Sequence, residues 1–192
     1  MHLVDVVLFL HIVAALAAFS VSTVIHVGEW SSRRATTVAE LRAWAVLTKR
    51  LSPLFPVLIA ILLGLGAWLL HLSGGEFRWS DGWVVAAVVA LGVLFVSGVA
   101  VLDPTARTYA AALVAAPDGP VTPELRAASR NALPWTLGHL NTGLALAVVL
   151  NMTTKPAGTT AALVLVLGAG LGGLIGHSGA RRGSAVAVPA GA

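Results

Sequence analysis

Apolar positions run along this chain in long blocks, Leu3 to Val27, Pro53 to Leu72, Trp83 to Leu102, Leu137 to Met152 and Gly158 to His177, and the stretches between them hold most of the charge. At about 1.5 Å per residue, a helix of that length crosses most or all of a hydrocarbon core of about 30 Å. The pattern predicts an all-α, polytopic membrane helical bundle with five transmembrane helices. Reading the last, glycine-rich block as a tail would leave it in water, so a four-span arrangement is set aside.

Polar and small positions inside the blocks fall on faces. His11, Ala15, Ala18, Ser22 and His26 keep to one stripe of the first helix at about 100° per residue. Ala60, Gly64, Ala67 and His71 form a stripe on the second, Thr136, His139, Thr142 and Gly143 on the fourth, and Gly170, Gly173 and His177 on the fifth. Small stripes in lipid mark helix contacts, so the histidines are expected to point into the bundle, with Gly64 and Gly173 at close approaches. The same faces would suit a homo-oligomer or a membrane partner.

The connections carry their own signals. Thr37 and Glu40 have the spacing of a capping box, and the helix they start is expected to lie along the membrane interface until Pro53. Asp103-Pro104 reads as a helix stop, followed by two short connecting helices, the second starting near Thr122 with Pro123 in its first turn. Residues 1–182 read as a single membrane domain and 183–192 as a flexible tail.

Composition agrees with the class: 57% of residues are hydrophobic and 10% charged, a balance that a small soluble domain would not show. Asp5 and the length of the first apolar run argue against a cleavable signal peptide. The formal charge of +4 resides in membrane-flanking segments, so it speaks for topology and against nucleic-acid binding. Arg33, Arg34, Arg42, Lys49, Arg50, Arg107, Arg126, Arg130, Arg181 and Arg182 fall on one side of a five-span chain; Arg78 and Lys155 fall on the other. That asymmetry predicts an N-terminus outside, a cytoplasmic C-terminus and residence in a cell membrane, the inner membrane of a bacterium.

The chain has no cysteine, which removes disulfides, thiolate metal sites and covalent haem attachment and leaves histidine as the candidate ligand. With this orientation His11 and His71 lie in an outer layer, and His26, His139 and His177 in an inner one. His11 and His26 are about 22 Å apart along the helix axis. Two such layers would suit haem b held by imidazoles from two helices, or steps of a proton or metal path. The competing reading is a structural or accessory bundle without a cofactor, its histidines packing or snorkelling near helix ends. No phosphate loop, His-Glu-x-x-His helix or Gly-x-Ser-x-Gly elbow is present, and neither broken helices nor repeated halves suggest a dedicated transporter.

The Leu10-His11 pair, a second span entered through Pro53 and Pro56 and running into Gly64 and Gly66, and a fourth closing on Asn151-Met152-Thr153-Thr154-Lys155-Pro156 carry a resemblance. The first four spans resemble a bacterial domain-of-unknown-function family of small predicted integral membrane proteins, similar in outline to the copper resistance D and HemJ membrane proteins. The HemJ likeness implies that His11 matches a first-helix haem histidine, but no span here holds a lysine, which speaks against porphyrinogen oxidation. The copper likeness is weakened by the absence of cysteine and by a methionine set of only Met1 and Met152.

Overall fold

A computed structural model describes residues 2–185. It contains α1 (Leu3–Arg34), α2 (Val38–Leu51), α3 (Leu54–Leu72), α4 (Gly82–Ser97), a π-helical turn (Gly98–Leu102) running straight into α5 (Asp103–Ala115), then α6 (Pro123–Ser129), α7 (Ala132–Thr154) and α8 (Gly158–Ala185). Among the described residues there is no β-strand, and five helices are long and apolar enough to cross a membrane. The tail expected from residue 183 lies, beyond Ala185, outside the described residues.

Two groups of helices make the bundle. α1 packs along α3, while α4, α7 and α8 pack together, the longest contact being α7 against α8. Glycine explains that contact. A Cβ on Gly143 would collide with the Gly168 carbonyl and one on Gly172 with the His139 carbonyl; one on Gly176 would stand 2.8 Å from Thr136 Cα. Backbones meet where no side chain intervenes, the usual device for joining helices in lipid.

The contact faces differ from the expected stripes on two helices. On α8 the working row is Gly168, Gly172, Gly176, whereas Gly170 faces open space and Gly173 only touches Leu140 Cδ1 at 3.7 Å. On α3 the expected stripe turns outward: Ala60, Gly64 and His71 are exposed, and the packed side runs through Ile59 and Gly66. Glycine is so frequent in these helices that several rows compete, and the partner helix selects one. The α1 stripe holds, since His11, Ala15, Ala18, Ser22 and His26 are all half-buried.

Asp103-Pro104 does not stop its helix. The chain stays helical from Gly82 to Ala115, because the π-helical turn directs the Asp103 N–H to the Gly98 carbonyl and so introduces Pro104 as though at a fresh helix start. The helix starts at Thr37 and Thr122 are as expected. Thr37 caps α2, with the Glu40 N–H donating to Thr37 Oγ1 at 3.3 Å and the Thr36 N–H donating to the Glu40 carboxylate at 2.7 Å. The Leu125 N–H likewise donates to Thr122 Oγ1 at the start of α6, at 3.4 Å.

At one end of the bundle α2, α5 and α6 build a small cap around Ala35, Val38, Leu41, Leu113 and Leu125. The backbone joins it through Val38 N–H to the Gly119 carbonyl and Val121 N–H to the Thr36 carbonyl, at 2.9 and 3.0 Å. Arg42 staples the chain after α5, donating to the Leu113 carbonyl at 3.0 Å, to the Ala116 carbonyl and to Asp118. At the opposite end Lys155, in a left-handed conformation at φ 46°, closes α7 and lays its ammonium 3.9 Å from the Phe77 ring centre.

Candidate functional site

The chain ends of α1 and α7 nearest the cap converge, and they bring polar side chains together within the bundle. On α1, His26 and Glu29 are one turn apart; on α7, Trp135, His139 and Thr142 share the facing side. The rings of His26 and His139 are 4.8 Å apart between centres. Gly138 makes room for this meeting, since a Cβ there would stand 3.1 Å from His26 Cε1.

Hydrogen bonds fix the rings. His139 Nδ1 lies 2.8 Å from the Trp135 carbonyl. A carbonyl can only accept, so Nδ1 carries a proton, and Nε2 has no hydrogen-bond partner among the described residues. His26 Nε2 lies 2.8 Å from Thr142 Oγ1, and that hydroxyl is also 3.1 Å from the Gly138 carbonyl. The other nitrogen of His26 faces Glu29 Oε2 at 3.6 Å, and both atoms are buried without a hydrogen bond. Arg33 closes the site toward the cap, with its guanidinium 4.2 Å over the Trp135 ring and an Nη2 donor 3.1 Å from the Asn131 carbonyl.

A second polar contact crosses the bundle between α4 and α7, where Asn141 Nδ2 donates to Ser97 Oγ at 2.9 Å, immediately before the π-helical turn. It was not foreseen, because single serine and asparagine residues in apolar runs carry no spacing signal. Glu29 and Trp135 were missed too. Glu29 could have been found from its i, i+3 spacing to His26, whereas Trp135 enters only through the fold.

Of the five candidate histidines the structure unites His26 and His139. His11 packs elsewhere on α1, against α3, with its Cε1 3.5 Å from where a Gly66 Cβ would stand. Its ring is beside the Leu62 backbone, yet Nδ1 is buried without a hydrogen-bond partner. His71 and His177 are exposed, which corrects the expectation that they point inward. His177 follows Gly176, whose contact with α7 sends the next residue off that face.

Imidazoles trans across one iron would each stand about 2 Å from it, and the macrocycle must pass between them. The rings of His26 and His139 do not fit that arrangement: they lie in contact at 4.8 Å and His26 Nε2 is turned to Thr142. No group of three His, Asp or Glu residues among those described converges to hold a metal ion. At the α1–α7 contact itself, the imidazole nitrogen without a hydrogen bond to protein on the α7 side is His139 Nε2, beside the His26–Glu29 pair.

Comparison with known proteins matches residues 5–156 to the family described as predicted integral membrane protein (DUF2269). The chain belongs to that family. The match spans α1 to α7 and stops before α8, as the resemblance in the sequence implied. This family member is thus a multi-pass integral membrane protein. No curated protein and no solved structure matches it, and the likeness to the copper resistance D and HemJ proteins gains no support.

Proposed function

We propose that this protein binds an electron-pair-accepting ligand inside the membrane, with His139 as the group that meets it. The observation that carries the reading is the fixed tautomer of His139: Nδ1 is tied to the Trp135 carbonyl and Nε2 is left without a partner. Ligating histidines are commonly oriented in this way, by a hydrogen bond from the other ring nitrogen to a carbonyl. Haem b is the cofactor class this reading names, with one protein imidazole from His139 rather than a His26–His139 pair; when bound it would supply redox chemistry. His26 and Glu29 would border the ligand, and His11 stands apart from it.

The same reading places the protein in a bacterial inner membrane with the cap in the cytoplasm, as the basic asymmetry implies. Glycines that face open space, among them Gly64, Gly92 and Gly170, leave small-residue surface for a second copy or a membrane partner.

The test is the spectrum of protein purified from cells supplied with haem. The expected outcome is a Soret band with reducible b-type peaks, lost or shifted in His139→Ala and retained in His71→Ala and His177→Ala. Colourless protein that takes up no added haem would overturn the reading and favour a structural bundle.

A further inference from the structure

We infer that the groove between the starts of α4 and α8, at the end of the bundle opposite the cap, holds one phospholipid molecule, with its phosphate on Lys155 and an acyl chain along Val85, Val89 and Leu165. The inference is independent of any ligand at His139.

Helix geometry makes the groove. α4 begins at Gly82 and α8 at Gly158, and the two starts touch, since a Cβ on Gly82 would collide with Gly158 Cα. From that contact a groove of about 320 Å³ follows both helices to Val89 and Leu165. Seven residues of helix give it a length of about 10 Å. Gly82, Gly158 and Ala162 keep it open, and Val85, Val89 and Leu165 give it apolar walls. Val85 and Val89 are exposed, and β-branched side chains already confined to few rotamers lose little freedom when a hydrocarbon chain lies against them. A slot of this kind takes hydrocarbon. Whether one particular lipid stays in it depends on a partner for the headgroup.

Lys155 supplies that partner. It closes α7, three residues before Gly158, at φ 46°, where glycine is favoured, so the lysine is kept at a backbone cost that glycine would not carry. Its ammonium lies 3.9 Å from the Phe77 ring centre and 5.8 Å from that of Trp83, which directly follows Gly82 at the mouth of the groove. Phe77 and Trp83 brace each other edge to face, 5.5 Å between centres. The two rings thus hold the ammonium over the end of the groove, at the depth where aromatic residues meet headgroups. They attract its charge, and its N–H donors remain for an anionic oxygen.

Charge complementarity selects the occupant. No carboxylate among the described residues pairs with Lys155; Asp81, beside Gly82, accepts the Arg78 N–H at 2.9 Å. The positive ends of the α4 and α8 dipoles add to the ammonium. An ammonium above an apolar slot matches a phosphate joined to acyl chains. A second copy related by a two-fold axis along the groove would instead bring two Lys155 ammonium groups to the same end.

Native mass spectrometry of the full chain, delipidated in non-ionic detergent and titrated with phosphatidylglycerol carrying palmitoyl and oleoyl chains, tests the groove. Diacylglycerol with the same chains is the phosphate-free control. One phosphatidylglycerol per chain is expected at concentrations where diacylglycerol leaves the protein bare. Lys155→Gly suits the backbone at φ 46° and so keeps the fold. It should weaken binding about tenfold, since one charge-assisted contact at a wet interface is lost. Ala162→Phe, at an exposed position, fills the groove and should abolish binding. Protein that takes up no phosphatidylglycerol, equal uptake of diacylglycerol, or undiminished binding in either variant would overturn the inference. A dimer that excludes the lipid and is broken by Ala162→Phe would assign the groove to a second copy and overturn it as well.

Discussion

At the residue scale, the glycines of α7 and α8 are separable by what a methyl group would meet. Gly172→Ala places a Cβ against the His139 carbonyl, so two backbones must part; destabilisation of about 1 to 3 kcal/mol is expected, read as a lower melting temperature in detergent. Gly170→Ala, two residues away, meets open space and should be neutral or slightly stabilising through higher helix propensity. Gly82 and Gly158 give an asymmetric pair. A Cβ on Gly82 would run into Gly158 Cα, whereas one on Gly158 stands 3.7 Å from Gly82 Cα, so Gly82→Ala should unfold at lower temperature than Gly158→Ala. Equal melting of all four variants would mean that the α7–α8 and α4–α8 approaches do not hold the bundle.

At the element scale, the cap depends on side chains that bond to backbone outside their own helix. Arg42 reaches two carbonyls and Asp118, and Arg126 donates to the Ala35 carbonyl at 2.6 Å. Arg42→Ala would strand the partly buried acceptors after α5, at a cost of about 1 to 3 kcal/mol, and should speed proteolytic nicking between residues 113 and 121 without melting the spans. The cap is also the acid-sensitive element. The Thr36 N–H, with help from Thr37, holds the Glu40 carboxyl below the usual carboxylate range. A lowered folded-state value means stabilisation that is present above the ordinary carboxylate range and lost as pH falls through the lowered value. Nicking of the cap should therefore rise on strong acidification in the native protein, and a Glu40→Gln variant should show a smaller rise; identical profiles would remove Glu40 from the account.

At the scale of the whole molecule, the two helix groups meet in part through a polar contact, in which α1 reaches α7 by His26 and Thr142, while within the second group α4 reaches α7 by Ser97 and Asn141. Polar side chains at such depth are costly unless paired, so these contacts fix which faces meet more than they add to stability. The direction of the bundle in the membrane rests on charge. A reporter fused after Arg182 should be active in the cytoplasm and one inserted at Gly75 outside it. The reverse pattern would invert the assignment of the cap to the cytoplasmic face.

Sequence by itself determined the class, the number of spans, the capping box at Thr37, the helix start at Thr122 and the polar face of α1, because apolar length and helical period are properties of a single segment. It also named His26 and His139, though only among five histidines with His11, His71 and His177, since an ionisable residue within an apolar run stands out without knowledge of its neighbours. Tertiary structure decided the rest. Which glycine row on α8 is used, whether His71 and His177 face in or out, and that Glu29 and Thr142 attend the His26 ring all depend on the rotation of each helix about its axis. In a chain so rich in glycine and alanine, that rotation is set by the opposing helix: several faces are smooth enough to pack, and only the partner's own shape selects among them. Pro104 shows the same limit locally, because a proline that would end an isolated helix is carried through once the turn before it widens.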